Sequence, residues 1–222
     1  MKHSLKFLTA SAIALAAPLA LAQSAGTWLA RVGATTITPS VTSGDMTAPS
    51  FAGTKSDVGA ASQISGGITY FYTDNLSVDL PLALPFKHKL YGAGALAAAG
   101  QIGEVQSLPM TVFLQYRFMD AKSQFRPYVG LGATYAYFTN AVGSGALTTM
   151  TNPGGPATTL KVDSKFAMTP QVGATFALDD KTFVDVFYSK TMLSTRNSFS
   201  TGQTLDITLD PSSFGITVGT RF

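Results

Sequence analysis

After residue 22, apolar side chains return at every second position through eight separate stretches of the chain. The clearest covers 75–86, where Leu76, Val78, Leu80, Leu82 and Leu84 alternate with Ser77, Asp79, Pro81, Ala83 and Pro85. Successive side chains of an extended strand point to opposite faces, so such a stretch carries one apolar face and one polar or small face. The same period recurs over about 27–39 (Trp28, Ala30, Val32, Ala34), 62–73 (Ile64, Ile68, Tyr70, Tyr72) and 106–119 (Leu108, Met110, Val112, Leu114, Tyr116, Phe118). It continues over 125–139 (Val129, Leu131, Ala133, Tyr135, Tyr137), 164–178 (Phe166, Met168, Val172, Ala174, Phe176) and 182–193 (Val184, Val186, Tyr188). The eighth strand is expected from about Thr204 to Phe222, broken at Asp210-Pro211. Pro81 and Pro170 are expected to mark bulges or kinks, because proline cannot donate to a ladder.

The connections sort by length. Thr73 to Asn75, Met119 to Gln124 and Asp179 to Lys181 read as tight turns. The segments 40–61, 87–105, 140–163 and 194–203 read as long loops, and short and long alternate strictly. A soluble β-sandwich has no reason to sort its loops this way. An outer-membrane barrel does, with tight periplasmic turns and longer extracellular loops. The fold class expected is therefore all-β, an eight-stranded antiparallel transmembrane β-barrel. The last strand supports it: Phe214, Ile216, Val218 and Phe222 share one face, and the terminal aromatic Phe222 reads as the closure and assembly signal.

Export is expected as well. Met1 to Leu5-Lys6 is a short basic region, 7–19 is apolar, and Ala20-Leu21-Ala22 reads as a small-x-small cleavage site. Residues 1–22 are thus expected to be a cleaved signal peptide and 23–222 the barrel domain, residing in the bacterial outer membrane with its lipid and the outer-membrane assembly machinery as partners. Removing Lys2 and Lys6 leaves 15 − 2 = 13 basic against 12 acidic residues. That balance gives no basic patch and no reason to expect nucleic acid. The chain has no cysteine, so neither a disulfide framework nor a thiolate metal site is expected.

With the apolar face toward lipid, the other face lines the lumen. Arg31, Asp79, Arg117, Arg126, Asp185 and Arg221 are then expected to form a charged floor near the periplasmic end. Such charges must be paired or hydrogen-bonded, because an unpaired buried charge is costly. The upper lumen reads as apolar, with Ile37, Leu90, Leu108, Phe138 and Leu160 as candidate ligand-path residues. The apolar loop Tyr91–Gly100 suits either a ligand-contacting wall or a small helix packed on its own barrel. After the signal, His88 is the only histidine; it is read as a solvated or loop-pinning residue, and no metal or cofactor is expected. No nucleophile motif is present, and the protein is not expected to be an enzyme, although lipid-modifying barrels use a His and a Ser on a small barrel.

Several segments resemble the OmpW family. They are Trp28-Leu-Ala-Arg-Val-Gly33, Leu84-Pro-Phe-Lys-His-Lys-Leu-Tyr-Gly-Ala-Gly94, 108–118, Phe125-Arg-Pro-Tyr-Val-Gly-Leu-Gly-Ala-Thr-Tyr135 and 210–222. The resemblance implies an eight-stranded barrel with a hydrophobic channel open outward and closed toward the periplasm. It also implies uptake of small hydrophobic solutes with lateral release into the membrane, for which the strand prolines Pro81 or Pro170 are candidate openings. The alternative is a structural or adhesive barrel with no conduit.

Overall fold

The computed structural model describes residues 23–50 and 52–222; the expected signal peptide, residues 1–22, and Phe51 lie outside the described residues. In chain order the strands are β1 (Trp28–Thr38), β2 (Thr42–Ser43), β3 (Thr54–Val58), β4 (Ala61–Phe71), β5 (Leu76–Ala83), β6 (Phe86–Gly94) and β7 (Gln101–Arg117). They continue with β8 (Phe125–Gly143), β9 (Leu160–Val162), β10 (Lys165–Ala177), β11 (Thr182–Lys190), β12 (Ser194–Phe199), β13 (Thr204–Thr208) and β14 (Ser212–Arg221). Among the described residues one helix, α1 (Gly145–Thr151), and a 3-10 turn over Ala97–Ala99 complete the elements.

Eight of these strands close on themselves, each antiparallel to its neighbours, in the order β1–β4–β5–β7–β8–β10–β11–β14–β1. The seam joins the two ends of the chain. Leu29 opposes Arg221, and Trp28 and Phe222 exchange both backbone hydrogen bonds, at 2.9 and 3.0 Å. Closure of the ring gives the backbone partners along most of the wall, as a spanning sheet requires.

Burial is inverted relative to a soluble protein. Val32, Ile64, Leu80, Val112, Leu114, Leu131, Met168, Val172, Ile216 and Val218 are all exposed on the outside. Arginines, aspartates, threonines and glutamines fill the inside. An apolar exterior of this extent has a stable place only in a hydrocarbon core. At the turn end it is bordered by Trp28, Tyr72, Tyr116, Phe118, Phe125, Phe176 and Phe222, with Trp28 against Tyr70 and Phe125 against Phe176 at ring-centroid distances of 4.8 Å each. The turns are locally fixed: the Asp179 carboxylate accepts from the backbone N–H of Lys181 and Thr182 at 2.8 and 2.7 Å. Those N–H groups hold its carboxyl below the ordinary value.

Three expectations about the outer half need correction. The segment 87–105 is not a loop: β6 prolongs the line of β5, β7 begins at Gln101, and only 95–100 form the tip. The expected eighth strand is two elements, since β13 lies outside the barrel and only β14 belongs to it. The break falls where expected, at Asp210, whose φ is +31° and whose carboxylate accepts from Leu193 N–H at 2.9 Å. Finally, the segments 40–61, 140–163 and 194–203 are not bare loops: they contribute β2, β9 and β12, which with β13 form a four-stranded sheet of their own above the barrel mouth. Under it Met46, Leu90, Ile102, Val105, Leu147, Leu160, Val162, Phe199 and Leu205 make a buried apolar cluster.

Candidate functional site: the barrel lumen

The lumen is layered, and each layer follows from which residue the alternation turns inward. At the turn end Arg126 is fully buried, but no carboxylate takes its hydrogen bonds. Its guanidinium instead donates to the backbone carbonyls of Gln23 at 2.7 Å, Phe118 at 3.4 Å, Met119 and Asp74, drawing the turns together over the opening. Arg221 donates likewise to the Asp179 carbonyl at 2.9 Å. Leu29, Phe71 and Phe183 form a small apolar cluster alongside.

Above them lies the ion pair. Arg31 donates both terminal nitrogens to Asp79, at 2.6 and 2.8 Å, and Thr69 adds a third bond to Asp79 at 2.6 Å. Their side chains are 4% and 0% exposed. Arg117 and Asp185 are joined only indirectly. Arg117 donates to Thr175 at 2.6 Å and to Gln115 at 3.0 Å, and Thr175 in turn donates to Asp185 at 2.9 Å. The Tyr128 ring lies 4.4 Å from the Arg117 guanidinium while its hydroxyl donates to Asp185 at 3.1 Å. The six floor residues expected from the sequence are therefore all buried in the lumen. Of these pairings, Arg31 with Asp79 is the direct inward salt bridge. Threonine, tyrosine and carbonyl groups do the rest of the pairing.

Aromatic rings form the next layer. Phe113 fills the space left by Gly132, where an added Cβ would lie 2.6 Å from the ring; Phe187 does the same at Gly215, at 2.4 Å. Over these runs a belt of hydroxyls. Thr111, Thr134, Thr169 and Thr191 are linked in a row at 2.8, 2.6 and 3.1 Å, and Thr35 pairs with Ser65 at 2.7 Å.

The upper lumen is an open cavity with a mostly apolar wall of Ile37, Val58, Leu90, Val105, Ala136, Phe138, Val162, Leu193, Ile207 and Leu209. Of the ligand-path candidates, Ile37, Leu90 and Phe138 line it. Leu160 does not; it sits in the apolar cluster beneath the outer sheet. Leu108 is turned the other way, since it opposes Tyr137 on the outer face while its neighbours Ser107 and Pro109 face the cavity. His88 is buried rather than solvated. One ring nitrogen, Nδ1, lies 2.8 Å from the Gly59 carbonyl, pinning the adjoining loop as expected, and Nε2 lies 3.1 Å from the Ser107 hydroxyl. Ser107, Val58 and Asn197 were not legible as lining residues, because their neighbours in space are distant in sequence.

A second, lower cavity adjoins the first and shares Ile37, Pro109, Thr191 and Ser213 with it. Its lining mixes the two faces of the barrel. Thr35, Thr169 and Phe187 are inward residues, whereas Leu82 is 55% exposed on the outside. The reason is a break in the wall. Pairing of β5 with β7 ends at Asp79↔Phe113 and pairing of β6 with β7 resumes only at Phe86↔Ser107. Between them residues 80–85 face residues 108–112 without a ladder pair, and Pro81, Pro85 and Pro109 fall in this window. The β4 side stays joined up to Ser65↔Ala83. At Pro170 the wall is nearly continuous: Pro170 opposes Leu131, and Met192 N–H donates to the Met168 carbonyl at 2.9 Å.

A family model described as the OmpW family matches residues 24–222. The chain is 31% identical, over the full length of both chains, to a protein named outer membrane protein W from Vibrio cholerae. Among solved structures it is similar to the outer membrane protein OprG of Pseudomonas aeruginosa, with a TM-score of 0.81 and 26% identity over 90% of this chain and 97% of that one. The fold is also that of the outer membrane protein AlkL in lipid bilayers, with a TM-score of 0.67 and 19% identity over 100% of this chain and 97% of the other.

Proposed function

This chain belongs to the OmpW family of outer-membrane barrels, and from that premise we propose that it is a conduit for small hydrophobic molecules that enter from outside and leave sideways into the membrane. Residues 1–22 serve as the export signal, and the assembly machinery reads the last strand ending at Phe222. A solute shed by water is received by the apolar wall of the upper cavity. It meets the hydroxyl belt, the Phe113 and Phe187 rings and the charged floor below, and this barrier denies it the periplasm. The remaining way out is the window between residues 80–85 and 108–112.

The observation that carries this reading is the lower cavity, whose lining runs from Phe187 inside to Leu82 outside across a stretch with no ladder pair. Three prolines there remove three N–H donors, so the window does not zip shut by local fluctuation. The OprG and AlkL likenesses support the fold in which such a window sits.

The test uses vesicles with a lipopolysaccharide outer leaflet, which slows passive entry of hydrocarbons. The wild-type barrel should raise the rate at which a small aromatic hydrocarbon reaches the membrane interior. Replacing Pro81, Pro85 and Pro109 together with Ala restores the donors and should lower that rate severalfold at equal folded amounts. If wild type gives no rate above empty vesicles, the conduit fails and a structural barrel takes its place. If the proline variant matches wild type, the exit lies elsewhere.

A further inference from the structure

The upper cavity is not uniformly apolar: Ser107, Thr195 and Asn197 are among the polar residues that line it. Asn197, on β12, is 6% exposed and lines it. Among the described residues no side-chain hydrogen bond holds its amide, which opens into the cavity. An amide that opens into a mostly apolar cavity and is held by no protein group can both donate to and accept from a solute that arrives. Facing the same cavity is Ser107. The Gly59 carbonyl can only accept, so His88 carries its proton on Nδ1, and in the neutral ring Nε2 accepts the Ser107 hydroxyl proton. Ser107 then offers only lone pairs to the cavity. Thr195 is in the same condition, since its hydroxyl donates to the Asp163 carbonyl.

These groups define a ligand chemistry. Ser107 and Thr195 ask for a donor, and the Asn197 amide can both donate and accept. A ketone, ester or plain hydrocarbon satisfies none of the acceptors; a hydroxyl or a carboxamide satisfies both kinds. Among the described residues no Asp, Glu, Lys or Arg lines the cavity, so an ionised end would find no counter-charge in an apolar surround. We propose that Asn197 and the Ser107–His88 pair form a head-group subsite for a hydrophobic solute ending in one neutral hydroxyl or carboxamide. The proposal rests on the conduit reading only for its consequence, that such solutes are taken in preference to hydrocarbons of equal length.

Binding is measured directly on the isotope-labelled, refolded barrel in micelles, comparing 1-heptanol with heptane. The Asn197 side-chain amide resonances, identified by their loss in Asn197→Leu, should shift saturably with heptanol and stay in place with heptane. Ser107→Ala removes one acceptor and should weaken heptanol binding roughly tenfold, about 1.4 kcal/mol. If the amide resonances respond equally to both compounds, or to neither, the subsite is overturned; the same holds if Ser107→Ala binds heptanol as wild type does. The wild-type measurement stands even if either variant fails to fold. The two readings separate cleanly. Hydrocarbon uptake without an amide response refutes the subsite alone, whereas an amide response without hydrocarbon uptake refutes the conduit and leaves a resting ligand site.

Discussion

Asp79→Ala should be the most damaging single change in the lower lumen. The carboxylate accepts from both terminal nitrogens of Arg31 and from Thr69, and both charged side chains are almost fully buried. Removing it strands a guanidinium among Gly67, Thr69 and the other arginines, where water is scarce. Breaking a buried pair at one partner costs about 3–5 kcal/mol, whereas replacing both partners by apolar groups is often neutral. Asp79 also opposes Phe113 in the last ladder pair before the window, so its loss should loosen the wall there first. The assay is urea unfolding in lipid vesicles followed by fluorescence of Trp28, the sole tryptophan of the sequence, whose ring packs tilted against Tyr70. The double variant Arg31→Met with Asp79→Leu should recover most of the loss. A cost below about 1 kcal/mol for Asp79→Ala, or a double variant no better than the single, would refute the account of a tightly coupled dry pair.

Two further outcomes follow from the outside of the barrel. Leu131 is 52% exposed on the apolar face, opposite Leu114 and Pro170; Leu131→Arg should cost about 2–4 kcal/mol in vesicle unfolding if this face meets the bilayer near its midplane, and a cost near zero would place it outside the hydrocarbon. In the outer sheet, Asp206 is paired with Arg196 at 2.6 and 2.8 Å and its carboxyl is held below the ordinary value of 3.8 by those bonds. A depressed folded-state value means the contribution is full above that ordinary value and disappears as pH falls through the lower one. Amide-exchange protection in β12 and β13 should therefore hold from neutral to mildly acidic pH and drop only in strong acid, and Asp206→Asn should abolish that acid step.

The eight barrel strands were legible because the bilayer imposes one rule on all of them, apolar outward and polar inward. Their periods, the tight turns and the inward charges could each be read locally. What stayed illegible was non-local. That Arg126 caps carbonyls of Gln23 and Asp74 rather than a carboxylate depends on turns brought together only by closure. The outer sheet pairs β2 with β13, far apart in the chain, and no local pattern in Thr42-Ser43 announces it. The partnerships of His88 with Gly59 and Ser107, and the place of Asn197, have the same origin.

The misreading of residues 87–105 has a more specific cause, which is also informative about the molecule. Alternation does not stop at the outer surface of the bilayer; it changes sign. Along β5, Leu80, Leu82 and Leu84 face out and Ala83 faces in. Along β6, Phe86, His88 and Leu90 face in, while Lys87 and Lys89 are exposed. Above the hydrocarbon the exterior meets water, so the lysines belong outside, while Leu90 joins a core with Val105, Val162 and Leu205 and Phe86 packs with Ile37 and Ala61. A reader holding to one rule sees the charged positions of β6 as a loop, whereas for Leu108 the same rule, which groups it with Met110 and Val112, gives the outer face it occupies. On β7 the change falls between Val105, which is buried, and Met110, which is exposed, with Leu108 still on the outer face. The level at which the pattern inverts is where the upper cavity begins and where the window opens below it. The conduit reading places the solute's passage at this boundary: it is received by the inward apolar core above the bilayer and leaves through the wall where that core gives way to lipid.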